Sequence, residues 1–331
     1  MPAFTSVNQN DAVTRPTTDR PSRRHQLLAF ALPRVLGASD LVDEEAERLE
    51  LLTRNRERAE AHERLPTRVV PGFARRFELT TERLGSGGVQ FTSFVITPRG
   101  TAPTKTLFYV HGGAFVSPID PFHVRYVAKL AETLGVRVVL PQYPLAPEYT
   151  WRDSYVSLLS SLNDHIERAR GGLLLAGDSA GGGLALALAI GLRDRGLGLP
   201  RHLLLHAPWG DLTTSTPETA GYGSIDTWLK YSKLLAYARW WAGTPEDLAR
   251  PEVSPTLADL NGLPPGLVLA GTRDLLLPGC RLLADRAEDS TWELTYMERP
   301  GLVHVFGIMP IIPEAGQAFD YAVKYLRRAG W

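Results

Sequence analysis

The sequence predicts an α/β fold: a mixed, mostly parallel eight-stranded sheet with helices on both faces and a largely helical cap. Three observations lead to this prediction. Short apolar runs alternate with helical segments along most of the chain, a pattern that builds a parallel sheet covered by helices on both faces. A glycine-rich hairpin signal precedes the alternation, and an aromatic-rich insertion interrupts it at residues 211–253. An insertion of this length after a strand is more typical of a functional lid than of a connector.

The N-terminal region differs in composition from the rest of the chain. Residues 1–24 are polar with few apolar anchors, which predicts a flexible N-terminus. Residues 25–72 are assigned to the N-terminal part of the cap. There, from Ser39 onward, apolar residues recur at helical spacing amid dense charge and predict an amphipathic helix that lies on a larger body through one face: Val42, Ala46, Leu49 and Leu52.

The α/β core is predicted from residues 73–210 and 254–331, with 211–253 as an inserted cap segment. Two β-rich segments flank the glycine loop of residues 85–88, which indicates an antiparallel hairpin. Six further strands are predicted at TLFYV, VRVVLP, LLLAG, HLLLHAP, GLVLAG and ELTYME. Helices are predicted near residues 122–134, 153–168 and 180–195, from about residue 226 in the insertion, and over the C-terminal segment that ends at Gly330.

Composition excludes several classes of function. The 331-residue chain has 36 Lys plus Arg and 36 Asp plus Glu, so its formal charge is zero and no net field attracts it to nucleic acid or acidic lipid. Cys280 is the single cysteine, which rules out an intrachain disulfide and a zinc site built on several thiolates. The apolar stretches are shorter than the about 20 residues that a membrane span needs. We therefore expect a cytoplasmic protein with a small-molecule partner, no nucleic acid and no membrane span.

A serine between glycines follows one of the predicted buried strands. Gly177-Asp178-Ser179-Ala180-Gly181 is a G-x-S-x-G sequence between a strand and a helix. A sharp strand-to-helix turn pushes its central residue toward unfavourable backbone angles and leaves no room for side chains beside it. Such a turn holds the Ser179 hydroxyl above the sheet edge, where it can act as a nucleophile. The alternative is an ordinary glycine-rich turn in which the serine only caps the helix.

Two more glycines follow the strand TLFYV. In His111-Gly112-Gly113-Ala114, the lack of side chains lets backbone N–H groups point outward instead of pairing within the sheet. Gly112 and Gly113 are therefore predicted as donors to the oxyanion of an acyl-transfer intermediate, with the N–H of Ala180 as a third donor. His111 is expected to support this loop by hydrogen bonding and not to act as acid or base.

A serine nucleophile needs a base, and the base needs a residue that orients it. Of the eight histidines, only His304 lies in a loop after the last predicted strand, and Asp274 ends the strand before it. The order Ser179, Asp274, His304 is the one expected for an α/β-hydrolase. Asp274 could instead cap the next helix, and His304 could be an ordinary loop histidine. Asp259 and Asp285 are alternative acids, but neither falls directly at a strand end.

Five segments in order, HGGAF, YPLAPE, GDSAGGG, GTRD and HVF, resemble the hormone-sensitive-lipase-like branch of the α/β-hydrolases, the HGGG-motif carboxylesterases. The similarity covers about residues 70–331. It implies an α/β-hydrolase fold, the triad and oxyanion donors named above, and a cap made of the N-terminal helices and the insertion after the sixth core strand. Three departures weaken any inference about substrate: Ala114 for the third glycine, Pro144 for the usual Arg, and Leu275 for the Pro that often follows the acid.

These features predict a serine carboxylesterase that works through an acyl-enzyme and needs no metal or organic cofactor. The resemblance adds a preference for short- to medium-chain esters and allows a homodimer formed through the last strand or the cap. The aromatic residues of the insertion together suggest an apolar acyl pocket. The alternatives are an acyltransferase with the same triad and a non-catalytic, receptor-like ligand binder of the same fold.

Overall fold

A mixed β-sheet of nine strands runs through the residues that the computed structural model describes, which are 13–14, 20–35, 39–57, 63–86 and 88–331. The strands are β1 Val13–Thr14, β2 Phe77–Ser86, β3 Val89–Pro98, β4 Lys105–Val110, β5 Arg137–Pro141, β6 Gly172–Asp178, β7 His202–His206, β8 Gly266–Arg273 and β9 Leu294–Val303. Their order across the sheet is β1-β9-β8-β7-β6-β4-β5-β3-β2. Strand β3 pairs antiparallel with β2 and β5, and the other neighbours are parallel.

The eight predicted strands are confirmed as β2 to β9, and β1 is an addition to them. The hairpin turns where Gly85 takes a φ of 143°, and Ser86 pairs with Val89. The two-residue strand β1 pairs parallel with β9 at the sheet edge. It falls inside the segment predicted to be a flexible N-terminus, of which residues 1–12 and 15–19 lie outside the described residues.

Ten α-helices lie in the described ranges. They are α1 Arg23–Val35, α2 Glu44–Glu57, α3 Phe73–Arg76, α4 Pro121–Leu134, α5 Tyr155–Arg168, α6 Ser179–Asp194, α7 Thr219–Tyr222, α8 Tyr231–Ala242, α9 Leu277–Glu288 and α10 Pro313–Arg328. The predicted core helices are confirmed within a few residues. The insertion helix begins at Tyr231 and not near residue 226, because Asp226 accepts hydrogen bonds from the N–H groups of Trp228 and Leu229 and holds a turn there.

The hydrophobic core consists of two large clusters, one on each face of the sheet. Strand β4 shows how the sequence builds both. Its Phe108 and Val110 belong to one cluster, and Leu107 and Tyr109 belong to the other, because successive side chains of a strand point to opposite faces. All four are fully buried, as expected for a central strand covered by helices on both faces.

The inserted segment packs onto the first of these clusters through aromatic rings. Trp241 of α8 is fully buried and stacks on Phe115, with ring centroids 4.3 Å apart and an interplanar angle of 4°. The same cluster takes in Leu234 and Tyr237 from α8. The described helices include none that is long and apolar enough to cross a bilayer.

The predicted apolar face of α2 is wrong. Val42 is 97% exposed and Leu49 is 53% exposed, whereas Leu51 is buried. The inward side of α2 also carries Glu47 and Arg54, which bond to other parts of the protein. The helix covers a cavity whose walls are partly charged, so its inward face does not follow the hydrophobic pattern.

Candidate active site

Ser179 stands at the turn between β6 and α6, as predicted. Its φ of 52° lies in the left-handed region, which is uncommon for a residue with a side chain and marks a tightly constrained turn. The glycines on either side are required by close packing. A Cβ on Gly177 would lie 2.5 Å from the carbonyl oxygen of Gly181, and a Cβ on Gly181 would lie 2.2 Å from that of Val110. The turn therefore excludes any larger residue at these two positions.

Three residues from distant parts of the chain meet at this turn. The Ser179 hydroxyl lies 2.8 Å from His304 Nε2, and His304 Nδ1 lies 2.8 Å from Asp274 Oδ2. With Nδ1–H donating to the carboxylate, Nε2 is left to accept the hydroxyl proton. The predicted Ser179, Asp274 and His304 are thus brought together in hydrogen-bond contact.

Asp274, and neither Asp259 nor Asp285, contacts His304. Asp274 is fully buried, and its second oxygen accepts a hydrogen bond from the N–H of Leu276, so it orients His304 and braces the turn before α9 at once. Asp259 accepts hydrogen bonds from Asn261, and Asp285 lies within α9. His304 follows directly after β9, since that strand runs five residues further than the predicted ELTYME segment.

The imidazole of His304 is buried next to negatively charged carboxylates. Burial lowers the pKa of His304, but the charge of Asp274 and its hydrogen bond outweigh that effect, and Asp226 and Asp178 add to it. The pKa of His304 therefore lies above its ordinary value. A carboxylate next to the ring stabilises the imidazolium that forms when the base takes a proton.

In the loop of residues 111–114, one backbone N–H group is not available as the sequence predicted. The N–H of Gly112 donates to Asp178 Oδ1 at 3.1 Å, so the predicted role of Gly112 as an oxyanion donor is wrong. In the part of the chain that the structure describes, no acceptor bonds the N–H groups of Gly113 and Ala114. Both residues have positive φ, 111° and 53°. Together with Ala180 in the first turn of α6, they leave three backbone donors near the nucleophile.

Asp178 holds the loop of residues 111–114 in place through its carboxylate. Besides Gly112, it accepts a hydrogen bond from the Tyr109 hydroxyl at 2.8 Å, and it lies 3.4 Å from His123 Nε2. Burial raises the pKa of Asp178, but His123 and Tyr109 outweigh this and bring it to about 2. Burial lowers the pKa of His123, but the carboxylates of Asp178 and Asp120 outweigh this and raise it to about 10. The residue before the nucleophile is thus an ionised anchor for the oxyanion loop.

His111 supports the same loop from the other side, as expected. Its Nδ1–H donates to the carbonyl of Gly112 at 2.7 Å, and its ring stacks on Tyr143 with centroids 4.3 Å apart. The Tyr143 hydroxyl donates to the carbonyl of His111. Burial lowers the pKa of His111 to about 3. A neutral, stacked imidazole of this kind holds backbone geometry and has no contact with Ser179.

Comparisons with known proteins identify the family of this chain. Residues 107–308 match a family model described as the alpha/beta hydrolase fold. The chain is 31% identical over 229 residues to an acetyl-hydrolase from Streptomyces hygroscopicus, covering 68% of this chain and 76% of that one. It is 29% identical to an ethyl acetate hydrolase from Pseudomonas putida, covering 67% and 72% of the two chains. The chain belongs to the α/β-hydrolase family.

A solved structure narrows the position within that family. The crystal structure of an esterase from the bacterial hormone-sensitive lipase family aligns with a TM-score of 0.75 and 25% identity, covering 94% of this chain and 99% of that one. The resemblance drawn from the five sequence motifs is therefore confirmed. This α/β-hydrolase is a carboxylic ester hydrolase of the hormone-sensitive-lipase-like branch.

One residue at the esterase site was not found from the sequence. Asp226 in the insertion is buried, and its Oδ2 accepts a hydrogen bond from the N–H of Leu275, next to Asp274. Its Oδ1 accepts from the N–H groups of Trp228 and Leu229. An Asp two residues before an aromatic residue signals a local turn, but nothing in its spacing points to a neighbour 49 residues away.

The esterase has a cavity of about 500 Å³ that contains Ser179 and His304. Its walls are of two kinds, apolar and charged, whereas the aromatic residues of the insertion suggested an apolar acyl pocket. Apolar side chains line it at Leu51, Trp228, Leu229, Leu234, Ile308 and Met309. Charged side chains line it at Glu47, Glu50, Arg54, Lys230 and Lys233. Trp228 and Tyr237 of the inserted segment face this space, whereas Trp241 is buried in the core.

Proposed function

We propose that this esterase hydrolyses short- to medium-chain carboxylic esters through an acyl-enzyme formed on Ser179. The observation that carries the proposal is the unbroken chain of contacts from the Ser179 hydroxyl to His304 and from His304 to Asp274, each at 2.8 Å. Two relatives are named for acetyl and ethyl acetate substrates, which favours small acyl groups here.

In the first half of the reaction, His304 Nε2 takes the hydroxyl proton while Ser179 Oγ attacks the ester carbonyl. The carbonyl oxygen becomes an oxyanion that accepts hydrogen bonds from the N–H groups of Gly113, Ala114 and Ala180. Each such donor typically contributes about 2.7–4 kcal/mol to transition-state stabilisation. The tetrahedral intermediate then collapses, the bond to the alcohol breaks, and His304 gives its proton to the leaving alkoxide.

In the second half, His304 takes a proton from a water molecule, and the resulting hydroxide attacks the acyl carbon. The same three N–H groups hold the second oxyanion. Its collapse breaks the bond to Ser179 Oγ, which recovers its proton from His304, and the carboxylic acid leaves. Asp274 keeps the ring in the required tautomer through both halves.

The test uses Ser179→Ala with p-nitrophenyl butyrate as substrate. Because the variant lacks the nucleophile, we expect turnover to fall by roughly four orders of magnitude or more, with the melting temperature near that of the wild type. Ser224→Ala, an exposed serine in the cap segment, is the matched control and should keep full activity. Labelling with a fluorophosphonate should modify the wild type at Ser179 alone. Full turnover by Ser179→Ala, or an unlabelled wild type, would reject the mechanism.

A further inference from the structure

The cap side of the catalytic cavity carries an ion pair that the hydrolytic steps do not use. Lys233 Nζ of α8 lies 2.9 Å from both carboxylate oxygens of Glu47 in α2. The Tyr237 hydroxyl donates a short hydrogen bond to Glu47 Oε1. The side chains of Glu47 and Lys233 are only 16% and 22% exposed, and all three residues line the cavity that contains Ser179.

The hydrogen-bonding capacity of this pair is not exhausted. A carboxylate offers about four acceptor positions, and an ammonium group has about three N–H donors. Lys233 and Tyr237 occupy the acceptor positions of Glu47 only in part, since Oε2 receives Lys233 alone. Two of the Lys233 donors point to Glu47, which leaves one. A spare acceptor and a spare donor thus stand side by side on the cavity wall.

The pair is ionised but carries no net charge. Burial raises the pKa of Glu47, but the hydrogen bonds from Tyr237 and Lys233 outweigh it and hold that pKa below its ordinary value. The two formal charges cancel, so the pair does not select for an anion or a cation. An apolar chain placed against it would displace water and leave polar groups unpaired, which is unfavourable. A hydroxyl group both donates and accepts, so it satisfies both spare positions.

We propose that Glu47 and Lys233 form a subsite for a substrate hydroxyl, so that the preferred substrates are short esters bearing hydroxyl groups beyond the scissile bond. This inference rests on the proposed function, because it assigns the part of the substrate that lies away from Ser179.

The test compares esters that differ only in hydroxyl groups. Propyl butyrate is paired with 2,3-dihydroxypropyl butyrate to place hydroxyls on the alcohol side. Ethyl butyrate is paired with ethyl 3-hydroxybutyrate to place one on the acid side. We expect wild-type kcat/KM to be about tenfold higher for the hydroxylated member of at least one pair, the size of effect that one buried polar contact supports. Equal kcat/KM within both pairs would overturn the subsite, whereas no hydrolysis of any of the four esters would reject the proposed function itself.

Two variants distinguish binding of a substrate hydroxyl by this pair from a role that only holds α2 against α8. Glu47→Gln and Lys233→Met should each reduce the ratio of kcat/KM for the hydroxylated ester to kcat/KM for the plain ester to about twofold or less. Glu44→Gln is the matched control. It breaks a 2.7 Å ion pair with Arg239 that joins the same two helices, but neither residue lines the cavity. The control should keep the preference. Equal losses for plain and hydroxylated esters in the Glu47 and Lys233 variants would mean that the pair only holds the cap, and would overturn the proposal.

Discussion

The indole ring of Trp228 lies edge-on to the imidazole ring of His304, with ring centroids 5.5 Å apart and an interplanar angle of 68°. A residue of the inserted segment therefore contacts His304, the base of the proposed mechanism, directly. Asp226 holds the backbone of Trp228 and also bonds the N–H of Leu275, so a single carboxylate ties the insertion to the loop that carries Asp274. The inserted segment is thus connected to Asp274 and His304, and changes in the insertion should affect the proposed reaction.

The pH dependence of hydrolysis follows from the charge around His304. Burial lowers the pKa of His304, but Asp274, Asp226 and Asp178 outweigh it and raise it above the ordinary value of about 6.5. Only the neutral imidazole can accept the Ser179 proton, so activity is present above this pKa and is lost as the pH falls through it. We expect the acid limb of the kcat/KM profile for p-nitrophenyl butyrate, measured from pH 5 to 9, to have its midpoint above about 6.5. A midpoint below that value would contradict the raised pKa.

The sequence was sufficient to predict that Ser179, Asp274 and His304 meet, because the order of the strands places them together. The carboxyl ends of parallel strands share one edge of the sheet, so residues that follow β6, β8 and β9 must lie near one another. Ser179, Asp274 and His304 each stand directly at such an end. The strand boundaries could shift by several residues, as at β9, without separating the three side chains.

Contacts between distant segments could not be predicted in the same way. Gly112 and Gly113 are alike in sequence, and only the carboxylate of Asp178, 66 residues away, decides that the Gly112 N–H is already bonded. The inward face of α2 was assigned from apolar residues, but the helix covers a cavity with both charged and apolar walls, so Glu47 points inward while Leu49 is exposed. Periodicity reports burial against an apolar core and carries no information about such a cavity.

The packing of the nucleophile turn predicts a large loss of stability for Gly181→Ala. The added Cβ would lie 2.2 Å from the carbonyl oxygen of Val110 and 2.3 Å from that of His111, both of them backbone atoms that cannot move away cheaply. Overpacking of this kind costs about 1–3 kcal/mol or more in the free energy of unfolding. Urea denaturation should therefore show a clearly lower midpoint than for the wild type.

Gly279→Ala provides the matched control for that experiment. Gly279 lies within α9, and a Cβ there would meet no atom within 4 Å. Since alanine favours the helix over glycine by up to about 1 kcal/mol, this variant should be neutral or slightly stabilised. Equal midpoints for the two variants would show that the turn at Ser179 tolerates a side chain.

Asp226 joins the inserted segment to the loop of Asp274, so we expect Asp226→Asn to change both the pH profile and kcat. The substitution removes a negative charge that helps to raise the pKa of His304, so the acid limb of the kcat/KM profile should move to lower pH. It also places an amide NH₂ group among three N–H donors, from Trp228, Leu229 and Leu275, which loses at least one hydrogen bond. We expect kcat to fall about tenfold or more, because the loop of Asp274 and the ring of Trp228 lose a common anchor. Asp259→Asn, which changes an exposed carboxylate outside the site, should leave both the limb and kcat unchanged. A fall in kcat with an unmoved acid limb would assign Asp226 a purely structural role, because the loss of its charge near His304 should lower the pKa of that ring.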